Sequence, residues 1–203
     1  KPSEIFKKSN ESVVLIRVYD EKGNVISFGS GVCVHSNGTI ITNFHVISSD
    51  SFYFDIKFQK HGVFEDVYIS GMSPILEDYI VLKVGGKDLP SVDFSLRNEY
   101  EIGERVITIG NPEGLLNSIS DGVVSGRRFY GDYEYYQMTA PISQGSSGGA
   151  VFDEQGNLVG ISTAIHEEGQ NLNFFLPVYR IYNNAEIFAT VLTLEQFNSL
   201  CRN

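Results

Sequence analysis

The stretch Ile142-Ser143-Gln144-Gly145-Ser146-Ser147-Gly148-Gly149-Ala150-Val151-Phe152 runs a glycine and serine cluster straight into a strand-like apolar triplet. A serine hydroxyl is a weak nucleophile at neutral pH. It needs a neighbouring base, and backbone N–H groups aimed at the oxyanion that forms on attack. Glycines on both sides suit that geometry, because they turn tightly, accept positive φ and let another backbone approach without meeting a Cβ. Alone, such a cluster is commonly a simple turn, so the reading depends on what the rest of the chain supplies.

Upstream stands Gly29-Ser30-Gly31-Val32-Cys33-Val34-His35-Ser36-Asn37-Gly38-Thr39-Ile40-Ile41-Thr42-Asn43-Phe44-His45-Val46. Two apolar runs flank an Asn-Gly turn, which is a hairpin signal, and His45 follows the second run. Between His45 and Ser147 lies Glu77-Asp78-Tyr79-Ile80-Val81-Leu82-Lys83-Val84, with Asp78 at the mouth of a buried-strand run. The order His, Asp, Ser, with each group carried at the end of a different strand, is what a catalytic triad on a β scaffold requires. The other histidines, His35, His61 and His166, lie beside turn or charged residues.

Short apolar runs recur between glycine and Asn-Gly breaks: Val13 to Val18, Val25 to Val34, Phe52 to Phe58, Ile80 to Val84, Val106 to Ile109, Tyr135 to Thr139, Leu158 to Ala164 and Asn173 to Pro177. This spacing predicts an all-β fold. Helical signals are terminal, at Pro2 to Lys8 and at Thr193-Leu194-Glu195-Gln196, which reads as a capping box. At 203 residues the chain is long enough for one well-buried enzyme domain.

Composition excludes several functions. The formal charge of −10 argues against a nucleic-acid surface, which is normally basic. Arg127-Arg128 and Lys7-Lys8 read as solvated surface charge. No segment approaches the ~20 apolar residues of a membrane span, and no apolar core follows Lys1 to make a signal peptide. Cys33 lies in an apolar run and Cys201 near the far end, so no disulfide framework is implied. No metal-ligand spacing appears, and the reading is a cofactor-free hydrolase without a metal.

Together, Gly29 to Val46, Asp78 to Val84, Gly103-Glu-Arg-Val-Ile-Thr-Ile-Gly-Asn-Pro-Glu-Gly114, Asp121-Gly-Val-Val-Ser125 and Ile142 to Gly160 resemble the protease domain of the HtrA/Deg family of trypsin-like serine proteases. The resemblance covers about Val13 to Pro177. It implies two six-stranded antiparallel β-barrels with short terminal helices, in a single domain over residues 1–203. The N-terminal barrel would span about 11–86, the connection 87–101, where Gly-Gly-Lys-Asp-Leu-Pro breaks the strand pattern, the C-terminal barrel 102–178 and a helical tail 179–203. Residues after Pro177 are too few for the peptide-binding PDZ domain that many members carry.

Carried over residue by residue, the resemblance implies Ser147 as nucleophile, His45 as general base and then acid, and Asp78 as the group that orients the imidazole. The oxyanion hole would be the N–H groups of Gly145 and Ser147. Thr163 matches a hydroxyl residue expected to donate a hydrogen bond to Asp78. Substrate contacts would come from Ile142, Thr163, Ala164, Ile165 and His166, with Pro141 rather than an acidic residue at the pocket base. The implied substrate is an extended or unfolded polypeptide, cleaved after small or aliphatic residues and paired along residues 163–165 as an added strand. His166 and Asn173 depart from the family's aliphatic residue and glycine. Ser146 stands where digestive relatives have an aspartate and HtrA-like members usually an asparagine, which leaves open how firmly the oxyanion loop is held. The loop between Ser125 and Gln137 is short, implying limited or different allosteric control. Phe6 leaves monomer and trimer open, and the family's setting implies an extracytoplasmic location. Two other readings stand beside this one: a catalytically silent or partner-activated protein-binding module on the same fold, and an esterase using the same acyl-transfer chemistry.

Overall fold

Apolar side chains at alternate positions pair strands around a buried face, and here they do so twice. The computed structural model describes residues 1–47, 52–73, 77–167 and 170–201. Its strands are β1 Val13–Tyr19, β2 Val25–His35, β3 Thr39–Thr42, β4 Tyr53–Phe58, β5 Gly62–Phe64, β6 Val67–Met72, β7 Ile80–Val84, β8 Arg105–Gly110, β9 Ser118–Tyr130, β10 Tyr133–Met138, β11 Ala150–Phe152, β12 Leu158–Glu167, β13 Gln170–Pro177 and β14 Glu186–Leu192. Three helices, α1 Pro2–Ser9, α2 Val178–Asn184 and α3 Leu194–Cys201, sit at the two ends of the chain. Thr193 and Gln196 close the expected capping box, the Thr193 N–H donating to Gln196 Oε1 at 2.9 Å and the Gln196 N–H to Thr193 Oγ1 at 3.2 Å. Among the described residues, no helix is long and apolar enough to cross a membrane.

The C-terminal half closes as a six-stranded barrel in the order β10-β13-β12-β11-β8-β9. The N-terminal half is a half-barrel, which together with the closed barrel makes the expected trypsin-like all-β fold. It forms an open eight-stranded sheet in the order β14-β6-β7-β3-β2-β1-β4-β5. β14 returns from the C-terminal segment and occupies the free edge of β6, pairing Glu186 with Met72 and Ile187 with Gly71. The segment after residue 178 is therefore not helical throughout, as expected, but carries a strand between α2 and α3.

Two hairpins follow their turn residues. Asn37-Gly38 joins β2 to β3 with Gly38 at φ +86°, and Gly131-Asp132 joins β9 to β10, making the short loop expected between Ser125 and Gln137. Three apolar cores result. Val14, Ile16, Ile40, Ile56 and Leu82 fill the N-terminal sheet, while Val106, Val124, Tyr136, Val151 and Phe175 fill the C-terminal barrel. The third core joins the halves, packing Val13, Ile41, Tyr79 and Val81 against Ile109, Tyr135, Phe152 and Phe174.

Candidate active site

The register of β3 and β7 brings two of the expected residues together. Thr42 pairs with Ile80 at the sheet end, so the chain just beyond Thr42 meets the chain just before Ile80. Phe44–Val46 forms one 3-10 turn there, which carries His45 back toward Asp78. His45 Nδ1 lies 2.8 Å from Asp78 Oδ2 and 3.0 Å from Oδ1, and the His45 backbone N–H donates to Oδ1 at 3.0 Å. An imidazole whose Nδ1–H faces a carboxylate keeps Nε2 free to accept a proton.

Asp78 has φ +32°, a left-handed conformation that Asp tolerates better than most residues. The Asn43 side-chain amide donates to the Asp78 carbonyl at 2.9 Å. Thr163 Oγ1 donates to Asp78 Oδ2 across 3.4 Å, joining β12 of the barrel to the N-terminal sheet. The preceding residue, Glu77, is buried and forms an ion pair with Arg180 on α2. Beside this cluster, burial pushes the Tyr135 phenol up to about 12, with the charges of Asp78 and Glu77 adding to the effect.

The serine loop is held against β2. The Ser30 N–H donates to the Ser147 carbonyl and the Gly148 N–H to the Ser162 carbonyl, both at 2.8 Å. Gly148 is required there, since at φ +82° a Cβ would stand 2.2 Å from the Ser30 carbonyl oxygen and 2.3 Å from Thr42 Oγ1. Ser147 and His45 open on one cleft of about 700 Å³, whose walls include Gly145, Ile142, Phe28 and Asn173. The Ser147 hydroxyl has no hydrogen bond among the described residues, an arrangement common before substrate tightens a site. The N–H groups of Gly145 and Ser147 also donate none among the described residues.

Of the expected substrate contacts, Ile142 lines the cleft and Thr163 reaches Asp78. The backbone of Ala164, Ile165 and His166 follows β12, opposite Asn173, Leu172 and Asn171, and their side chains lie outside the described residues. Among the described residues, β12 has β11 as partner only from Leu158 to Ile161, so residues 163–165 have no strand on that edge. His35 and His61 are solvent-exposed and away from the cleft. No described cluster of three His, Cys, Asp or Glu side chains is arranged to hold a metal. Asn43, Ser30, Ser162 and the Glu77–Arg180 pair support the site and were missed by motif reading. Ser30 lies inside a quoted motif, but nothing in Gly-Ser-Gly announces which carbonyls it will bond.

The profile of the trypsin-like peptidase domain matches residues 29–161, a span holding His45, Asp78, Gly145 and Ser147. The chain is 34% identical over 165 residues to serine endoprotease DegS of Haemophilus influenzae, covering 76% of this chain and 48% of that protein. It is 38% identical over 147 residues to a probable periplasmic serine endoprotease DegP-like of Bartonella henselae, covering 69% and 28% respectively. It thus spans about half or less of the length of these curated relatives. A crystal structure of the serine endoprotease from Yersinia pestis superposes with a TM-score of 0.78 at 28% identity, over 90% of this chain and 64% of that one. A closed β-barrel set against an open sheet, a histidine and aspartate in contact across one sheet end, and a family match running through both and on to the serine loop have one explanation: the chain belongs to the trypsin-like peptidase domain family, in its HtrA-type group.

Proposed function

We propose that this chain is a serine endopeptidase acting on extended or unfolded polypeptide. Ser147 Oγ attacks the scissile carbonyl while its proton passes to His45 Nε2, and Asp78 stabilises the imidazolium. The oxyanion accepts hydrogen bonds from the Gly145 and Ser147 N–H groups. His45 then returns the proton to the leaving amine, giving an acyl-enzyme, and a water activated by His45 releases the acid. Thr163, Ala164 and Ile165 accept the substrate backbone as an added strand on the open edge of β12, and Ile142 in the cleft wall favours small or aliphatic residues before the scissile bond. The reading is carried by one observation: His45, held by Asp78, lines one cleft with Ser147 and Gly145, whose two N–H groups donate no hydrogen bond among the described residues. The relatives' names support proteolysis and an extracytoplasmic setting.

The test is fluorophosphonate labelling of the purified chain, with the modified peptide mapped by mass spectrometry beside Ser147→Ala. Labelling at Ser147 that vanishes in the variant, together with degradation of unfolded casein, is the expected result. Absence of both would overturn the peptidase reading in favour of a binding module.

A further inference from the structure

The N–H groups of Gly145 and Ser147 point where their peptide planes point, and every peptide among the described residues is trans. In a trans peptide the N–H lies opposite the preceding C=O, so fixing the Gln144 and Ser146 carbonyls fixes both donors. The Gln144 carbonyl accepts from the Glu113 N–H at 2.8 Å. The Ser146 carbonyl accepts from Ser162 Oγ at 2.8 Å and from the Gly149 N–H at 2.9 Å. Ser162 is 1% exposed, and its hydroxyl has one other acceptor in reach, the Gly149 carbonyl at 3.3 Å.

A second buried hydroxyl acts between these peptides. Ser30 Oγ donates to the Gly145 carbonyl at 2.8 Å and accepts from the Asn111 N–H at 2.8 Å, while the Ser30 N–H holds the Ser147 carbonyl. Ser30 is itself anchored, its carbonyl accepting from Thr42 Oγ1 at 2.6 Å. The Ser146 hydroxyl offers less, its only hydrogen bond among the described residues being a 3.4 Å contact from the Ser143 N–H. Beside the loop's own bonds, from the Ser146 N–H to the Ser143 carbonyl and from the Gly149 N–H to the Ser146 carbonyl, two hydroxyls from outside it hold its carbonyls.

We infer that Ser162 and Ser30 are positioning residues that clamp the 144–147 backbone and keep the two N–H donors aimed into the cleft before substrate arrives. The inference rests on the proposed peptidase reading. Neither hydroxyl touches substrate; each acts through a carbonyl on the far side of the loop. Complete loss of one oxyanion donor costs about 10²–10³ in kcat, and a loosened donor should cost at least about tenfold by the same reasoning.

The test uses the full chain with Ser162→Ala and Ser30→Ala, on a peptide substrate and a peptide boronate that forms a tetrahedral serine adduct. The expected result is kcat lower by about ten- to a hundredfold, KM within about twofold, boronate affinity falling in step with kcat, and an unchanged pH profile. Hydrogen exchange of the bonded Gly148 and Gly149 N–H groups should quicken by about tenfold. Unaltered kcat, boronate affinity and exchange in variants with a lowered unfolding temperature would overturn the clamp and leave a purely structural role. If wild-type Ser147 resists fluorophosphonate, the peptidase reading fails by itself. The exchange measurement still decides the clamp: no quickening rejects it.

Discussion

Asn173 on β13 lines the cleft together with Ile142 and Ser147. Its Nδ2 donates to the Ala140 carbonyl at 3.1 Å, which fixes the amide and leaves Oδ1 as an acceptor without a partner among the described residues. A planar amide fills space that glycine would leave open and sets a polar group in the same cleft as the apolar side chains of Ile142, Phe28 and Val46. On the proposed peptidase reading, Asn173→Gly should therefore enlarge the pocket and shift preference toward longer aliphatic residues before the scissile bond. A pocket discriminates by about 1–3 kcal/mol per methylene, so the kcat/KM ratio for Leu over Ala substrates should rise about tenfold or more. Matched peptide pairs would measure it, and an unchanged ratio would remove Asn173 from specificity. At this scale the sequence reading went furthest where chemistry restricts residue type: it singled out His45 and Asp78, which the fold brings into contact, and the glycine-flanked Ser147, which lines the same cleft as His45. Ser30 and Ser162 were not singled out, because a serine bonds whatever carbonyl the fold delivers.

Strands and hairpins were legible where periodicity and turn residues agree. β7 begins and ends where its apolar run does, and β2 turns into β3 at Asn37-Gly38. The long β9 and the edge strand β14 were missed because their outward residues break the alternation: Ile119 and Phe129 on β9 and Ile187 on β14 are large exposed hydrophobics. Long-range pairing decides such strands, and local pattern cannot reveal it. The same limit hides the tie between α2 and the Asp78 segment, where Arg180 meets Glu77 across a sequence separation that no motif spans. Glu77 is 3% exposed, so Arg180→Met would strand a buried carboxylate. Breaking a buried pair costs about 3–5 kcal/mol, and the lower end applies because the Arg180 side chain keeps 20% exposure. Urea unfolding should show that loss. Glu77→Gln in the Arg180→Met background should restore part of it by removing the charge, whereas a variant as stable as wild type would show that solvent already satisfies Glu77.

The site exists only while the two halves of the molecule stay packed, since His45 and Asp78 belong to the open sheet and Ser147 and Thr163 to the barrel segment. The shared core that joins them contains Tyr79 and Tyr135, at 0% and 7% exposure. Burial pushes both phenols from the usual 10 up to about 12. The neutral form is thus favoured in the folded state. The stabilisation it brings is complete below pH 10, where unfolded tyrosines are protonated too, and is lost as pH climbs from 10 through 12. Charging either phenol would set an unpaired anion in the seam between the halves. Phenolate absorbance followed against pH, beside peptidase activity and circular dichroism, should resolve two steps. Phenols that face solvent give the first step, with the fold intact. The buried set should then ionise only as the halves part, with activity lost in that second step. A single reversible titration of all 11 tyrosines near pH 10 with secondary structure retained would mean that the seam admits water, and that packing between the halves does not keep His45 and Ser147 on one cleft.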